Sequence, residues 1–144
     1  MTRTSLTQRW LAELKASGYH LTRPRRLIVE ILATSPRALE PIEIYEQGKK
    51  KSPHLGLVTV YRTIEKLESL GLVQRIHQQD GCHTYLRAAR GHEHFLICTS
   101  CGQVVAFSGD DLSALTQSVA RRSGYHIQDH WLQLYGLCPE CQPS

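Results

Sequence analysis

At 144 residues and 41% apolar content, the chain is long enough to bury a real core or to form two small domains. No apolar run approaches the ~18 residues of a membrane helix, and MTRTSLTQRW lacks the apolar stretch of a signal peptide. Neither a membrane protein nor a secreted one is expected, and a cytoplasmic location follows. Charge is divided unevenly: residues 1–90 hold 15 Lys/Arg against 8 Asp/Glu, residues 91–144 hold 2 against 5. A basic half joined to an acidic half fits a first half that meets a polyanion, or a solvated surface of mixed charge.

In chain order, SLTQRWLAELKAS places Leu6, Trp10, Leu11 and Leu14 at helical spacing, and Gly18 stops the run. In HLTRPRRLIVEILATSP, Thr22 is an N-cap, Pro24 sits in the first turn, and Leu27, Ile28, Ile31 and Leu32 form an apolar stripe ended by Pro36. Pro41 opens a third helix, with Ile42, Ile44 and Tyr45 expected to be buried. In LVTVYRTIEKLESLG, Val60, Ile64 and Leu67 recur at i, i+4 and i+7 and face the core. Gly71 closes that helix, and Thr59, Arg62 and Lys66 take its polar side. LVQRIHQ and CHTYL then read as a hairpin turning at Asp80-Gly81. Three helices, a fourth polar-faced one and a hairpin make a winged helix-turn-helix.

The second half changes rhythm near Arg87–Gly91. FLIC and QVVAF are short strands around a C-x-x-C knuckle. DDLSALTQSVARRSG is a helix with acidic residues in its first turn and Gly124 as its stop. YHIQDHWLQLYGLC reads as one long strand or two joined ones.

Four of the five cysteines pair as Cys98-Thr-Ser-Cys101 and Cys138-Pro-Glu-Cys141, leaving Cys82 alone. Each pair sets two sulfurs on a tight turn, and two such knuckles suit tetrahedral zinc. The 36 residues between Cys101 and Cys138 suffice for a strand, a helix and a returning strand, so zinc would clamp the ends of a small α/β unit. Such a site is closed, and its role structural. Two unrelated redox or core pairs are the competing reading.

TVYRTIEKLESLGLV, HEHFLICTSCG and YGLCPEC, in this order and spacing, resemble the ferric uptake regulator family of bacterial metal-dependent repressors. The match runs from about Ala12 to Cys141. The resemblance implies an α+β protein: an N-terminal winged helix-turn-helix DNA-binding domain over 1–88, then a small α/β metal-binding dimerisation domain over 91–144 with the four-cysteine zinc site. It also implies a homodimer on a palindromic double-stranded operator.

In the fourth helix Thr59, Tyr61 and Arg62 stand where helix-turn-helix proteins meet base edges. Arginine can pair with guanine and tyrosine can pack on a thymine methyl. The resemblance points to the same Tyr-Arg pair. Arg23, Arg25 and Arg26 are candidates for phosphates, and His20 matches a family position that reaches towards the minor groove. Lys49, Lys50 and Lys51 are a solvated run or a further phosphate patch.

On a strand His92 and His94 share a face and could chelate one metal together with His130. The family has a site of this composition with a carboxylate from the helix. That acidic position falls here at Ser113, so Asp111 or Asp110 is the candidate fourth ligand. Exposed polar residues on an edge strand are the bland alternative. At a further family site the matching positions hold Leu39, Leu86, Phe95 and Ala106, with only Glu93 retained. Cys82 and His83, with His77 on the paired strand or a histidine from the hinge, are candidates for a regulatory metal site bridging the wing and the dimerisation domain. A partly buried strand residue and a redox thiol are the other readings of Cys82.

These residues lead to a dimeric metal-responsive repressor, not an enzyme, that carries structural zinc and a regulatory divalent metal. Zinc is the favoured signal, as in a zinc uptake regulator-like member; iron, manganese or peroxide response is the alternative within the family. A zinc metalloenzyme and a zinc-stabilised interaction adaptor are the readings from other classes. The first would need an open metal position with a general base, and no H-E-x-x-H occurs.

Overall fold

The structure is a computed structural model that describes residues 3–77, 81–89, 93–109 and 112–143. It divides into two compact units, Met1–Ala88 and Ala89–Ser144.

The first unit begins with α1 (Arg3–Ala16), which buries Leu6, Trp10 and Leu14 from one face. Gly18 ends it at φ +84, a backbone conformation open to glycine at little cost. α2 (Arg23–Thr34) starts where Thr22 Oγ1 accepts the Arg25 N–H at 3.3 Å. Its buried residues are Ile28, Val29, Leu32 and Ala33, while Leu27 and Ile31 are half-buried. The stripe is thus rotated from the expected one, because α2 packs on α1, α3 and α4 at once.

α3 (Pro41–Lys49) begins with a reciprocal cap between Glu40 and Glu43. Of the three residues expected to be buried, Ile44 is enclosed, Tyr45 half-buried and Ile42 exposed. Gly48 is buried against Leu55, whose Cδ2 would have to shift to admit a Cβ. α4 (Leu57–Ser69) buries Val60, Thr63, Ile64 and Leu67. β1 (Val73–His77) and β2 (His83–Arg87) pair antiparallel, from Val73↔Arg87 to His77↔His83. Asp80, expected in the turn between them, lies outside the described residues. The segment between α2 and α3 joins this hairpin, since Leu39 and Tyr85 exchange both backbone hydrogen bonds, at 2.9 and 2.8 Å. One hydrophobic core ties the unit together, with Trp10, Leu14, Ile28, Leu32, Ile64 and Leu67 at its centre. Burying each such aliphatic side chain contributes about 1.5–3 kcal/mol.

The second unit is a three-stranded sheet in the order β4-β3-β5 with one helix. β3 (Glu93–Cys98) is the central strand, antiparallel to β4 (Val104–Ser108) and parallel to β5 (Gln133–Gly136). α5 (Ser113–Ser123) supplies the crossover that parallel pairing requires and ends at Gly124, φ +76. The described helix opens at Ser113, and the two aspartates expected in its first turn, Asp110 and Asp111, lie outside the described residues. The long final strand shrinks to four residues, because only Gln133–Gly136 finds a partner edge on β3. This unit has little core. Phe95, Ile97 and Cys98 of β3 are buried, whereas α5 buries no residue.

Candidate functional site

The parallel register sets Cys98, at the end of β3, opposite Gly136, two residues before Cys138. Both knuckles thereby reach the same end of the sheet. Gly102, at φ +77, closes the first turn by donating to the Cys98 carbonyl at 3.0 Å. The Cys141 N–H donates to the Cys138 carbonyl at 3.0 Å and closes the second. The Cys138 N–H donates to Cys98 Sγ at 3.4 Å and links the two. All four sulfurs, of Cys98, Cys101, Cys138 and Cys141, lie within 4.8 Å of one another.

Cys101 Sγ and Cys138 Sγ are 3.8 Å apart. Four sulfurs about 2.3 Å from a central zinc stand roughly 3.8 Å from each other, so the cluster fits a tetrahedral ion. Backbone N–H groups of Cys101 and Cys138 hold the Cys98 thiol down to about 6. Burial and the neighbouring Cys141 push the Cys138 thiol up to about 12. Four sulfurs packed this closely cannot all ionise without a cation among them.

His94 lies on the central strand and is 4% exposed, so for this residue the edge-strand alternative is overturned. Its ring stands 5.6 Å from that of His130 and 5.5 Å from Phe107, centroid to centroid. With Zn–N near 2 Å, two imidazoles sharing one ion have centroids roughly 5 Å apart. His94 and His130 are thus in reach of a common metal. His92, Asp110 and Asp111 lie outside the described residues. Ser113, at the family's acidic position, opens α5.

In the first unit, Tyr61 and Arg62 are exposed near the start of α4, and Thr59 carries a carbonyl that accepts from Thr63 Oγ1 at 2.7 Å. Arg25 lies over the Tyr19 ring at 4.4 Å and donates to the His20 carbonyl at 2.5 Å, so stacking holds its guanidinium in place. Lys49 bonds Tyr45 Oη at 2.8 Å, while Lys50 and Lys51 are exposed. Leu57 and Val58 were not singled out from the sequence. Val58 falls off the Val60, Ile64, Leu67 stripe and is 63% exposed in the same first turns as Tyr61, whereas Leu57 continues that stripe and is 38% exposed at the start of the helix. An apolar residue off the core stripe in the first turn was the available signal.

Residues 16–135 match the model of the ferric uptake regulator family. The chain belongs to the ferric uptake regulator family. It is 32% identical over 133 residues to a ferric uptake regulation protein of Neisseria meningitidis, covering 92% of each chain. It is 30% identical over 129 residues to a zinc uptake regulation protein of Mycobacterium tuberculosis, covering 90% of this chain and 99% of that one. A crystal structure of the Vibrio cholerae ferric uptake regulator superposes with a TM-score of 0.70 at 30% identity, covering 88% of this chain and 98% of that one. As a ferric uptake regulator family member, the chain is a metal-responsive DNA-binding transcription regulator rather than an enzyme. Its winged helix-turn-helix and its four-cysteine cluster are the α+β architecture anticipated from the sequence. Among the positions matched to a further family site, Leu39, Leu86 and Phe95 are buried, where they add to the core.

Proposed function

We propose that the chain is a homodimeric repressor of metal-homeostasis genes that binds a palindromic operator when zinc occupies a site built from His92, His94 and His130, with Asp111 as the fourth ligand. The observation that carries this reading is the His94–His130 pair, standing apart from a complete set of four thiols. The four cysteines hold structural zinc; the histidines hold the exchangeable ion. Zinc is favoured over manganese because imidazole rather than carboxylate dominates the site, and over iron because the alternative site retains only Glu93, with Leu39, Leu86 and Phe95 buried at three of its other positions.

Dimerisation is supported by the second unit's sheet. Val105, Leu96 and Leu134 are register neighbours across β4, β3 and β5, and all three are exposed. A cross-strand apolar row on a sheet with little core calls for cover by a second copy. In such a dimer, Arg62 and Tyr61 read base edges in the major groove, Leu57 and Val58 pack on thymine methyls, and Arg25 and His20 contact the backbone and minor groove. Metal acts by linkage: an ion that binds the DNA-competent arrangement more tightly shifts the population by its differential affinity. That arrangement must space two recognition helices by ~34 Å or a multiple.

The test is a titration of operator binding against zinc, iron(II) and manganese(II), with His130→Ala alongside. Zinc should promote binding at the lowest free concentration. Metal-independent binding sinks the sensor reading. A response to iron(II) at lower concentration than to zinc would replace zinc with iron, in line with the Neisseria relative.

A further inference from the structure

We propose a third metal site, contained within the hairpin of the first unit and formed by His77, His83 and Cys82. His77 closes β1 and His83 opens β2, and the two are register partners. Their ring centroids are 4.7 Å apart, at an interplanar angle of 76°. That separation is close to the roughly 5 Å expected for two imidazoles on one ion with Zn–N near 2 Å.

A cross-strand ring pair could be packing alone. Against that, Nδ1 of His83 is buried and has no hydrogen-bond partner. A buried ring nitrogen without a partner is a cost that a bound ion removes. Cys82 is exposed, immediately precedes His83 and lies outside the strand. Its thiolate would complete the set as a third ligand. Two imidazoles and a thiolate select a borderline divalent ion such as zinc or cobalt over iron(II) or manganese(II). The ion would tie β1 to β2 where the turn begins. It shares no residue with the four-cysteine cluster or with the His94–His130 pair, so it stands whether or not the regulatory reading does.

The experiment uses the full chain with the four-cysteine cluster zinc-loaded and with His94→Ala and His130→Ala in place, so that neither other centre reports. Zinc should resist displacement by cobalt from a thiolate site. Titration with cobalt(II) should then fill one site per chain, giving tetrahedral d–d absorption and a thiolate-to-cobalt charge-transfer band. His77→Ala or His83→Ala should weaken that binding at least about tenfold. Cys82→Ser should abolish the charge-transfer band. Amide exchange in Val73–His77 should slow when cobalt is added, and should not slow in His77→Ala. Cobalt binding unchanged by the double variant His77→Ala/His83→Ala would overturn the site, and binding without a charge-transfer band would remove Cys82 from it. Should the His94/His130 background fold poorly, the wild-type chain and its His77→Ala variant should still differ by one cobalt per chain; equal stoichiometry would overturn the proposal. His77 is exposed at a strand end, so its loss leaves the core intact.

Discussion

His94 on the central strand and His130, in the segment before β5, face each other with ring centroids 5.6 Å apart, although α5 and β4 separate them in the chain. Because His94 is buried and His130 half-buried, His130 is the better position for mutation. His130→Ala should weaken the exchangeable metal at least about tenfold and abolish metal-stimulated operator binding. The zinc held by the four cysteines should remain. Metal content after dialysis, measured beside operator affinity, checks both; loss of all zinc would show that the two centres are not separate.

Replacing Cys101 by Ser removes one of four sulfurs from an exposed position. The second unit has a small core, so its folding should depend on the ion. Amides of Phe95 and Ile97 should lose exchange protection, whereas those of Leu14, Ile28 and Leu67 should keep it. Chelation of the wild-type protein should give the same pattern. Equal protection in both units before and after zinc removal would contradict the staple.

Arg62 is exposed on α4. Arg62→Ala should therefore leave thermal stability within about 0.5 kcal/mol. Operator binding should fall by about 1–3 kcal/mol, the value of one good base contact. The loss should be smaller on an operator already mutated at the contacted base pair, and a uniform loss on every sequence would reassign Arg62 to a phosphate.

Gly48 sits inside a helix, where Ala is ordinarily better by about 1 kcal/mol. Here a Cβ would meet Leu55 Cδ2 at 2.5 Å, with Ile31 and Leu27 close behind. Leu55 is buried and cannot swing into solvent. Overpacking of this kind costs about 1–3 kcal/mol, so Gly48→Ala should be neutral to destabilising by up to about 2 kcal/mol. A clear gain in denaturation midpoint would refute the close packing of α3 on that loop.

Glu43 pairs with Arg37 and accepts the Glu40 N–H at 3.1 Å. Burial pushes its carboxyl up, but Arg37 and that N–H pull it further, and the net direction is below the ordinary value. A carboxyl depressed in the folded state stabilises the fold above its unfolded pKa, and the contribution is lost as pH falls through the folded one. The pair is partly exposed, so Glu43→Gln should cost no more than about 1 kcal/mol at neutral pH. Wild type and variant should converge in acid. A difference that persists at a pH below both values would assign the effect to packing.

Local features were legible in the sequence because their causes are local. Thr22 and Pro24 start α2, and Gly71 and Gly124 stop helices at positive φ, each by its own backbone chemistry. The two C-x-x-C pairs announced their cluster because thiolates on tight turns have few other uses. Hydropathy could not say that Gly48 would be buried, since that depends on where Leu55 lies. Nor did a local pattern foretell that Leu39 would pair with Tyr85 or that β5 would shrink to the length of its partner edge. The sequence alone determined the four cysteines as a metal-ligating set and the family to which the chain belongs. Only the tertiary structure decided which histidines meet, because strand order and parallel register are set by chain segments that fold between them.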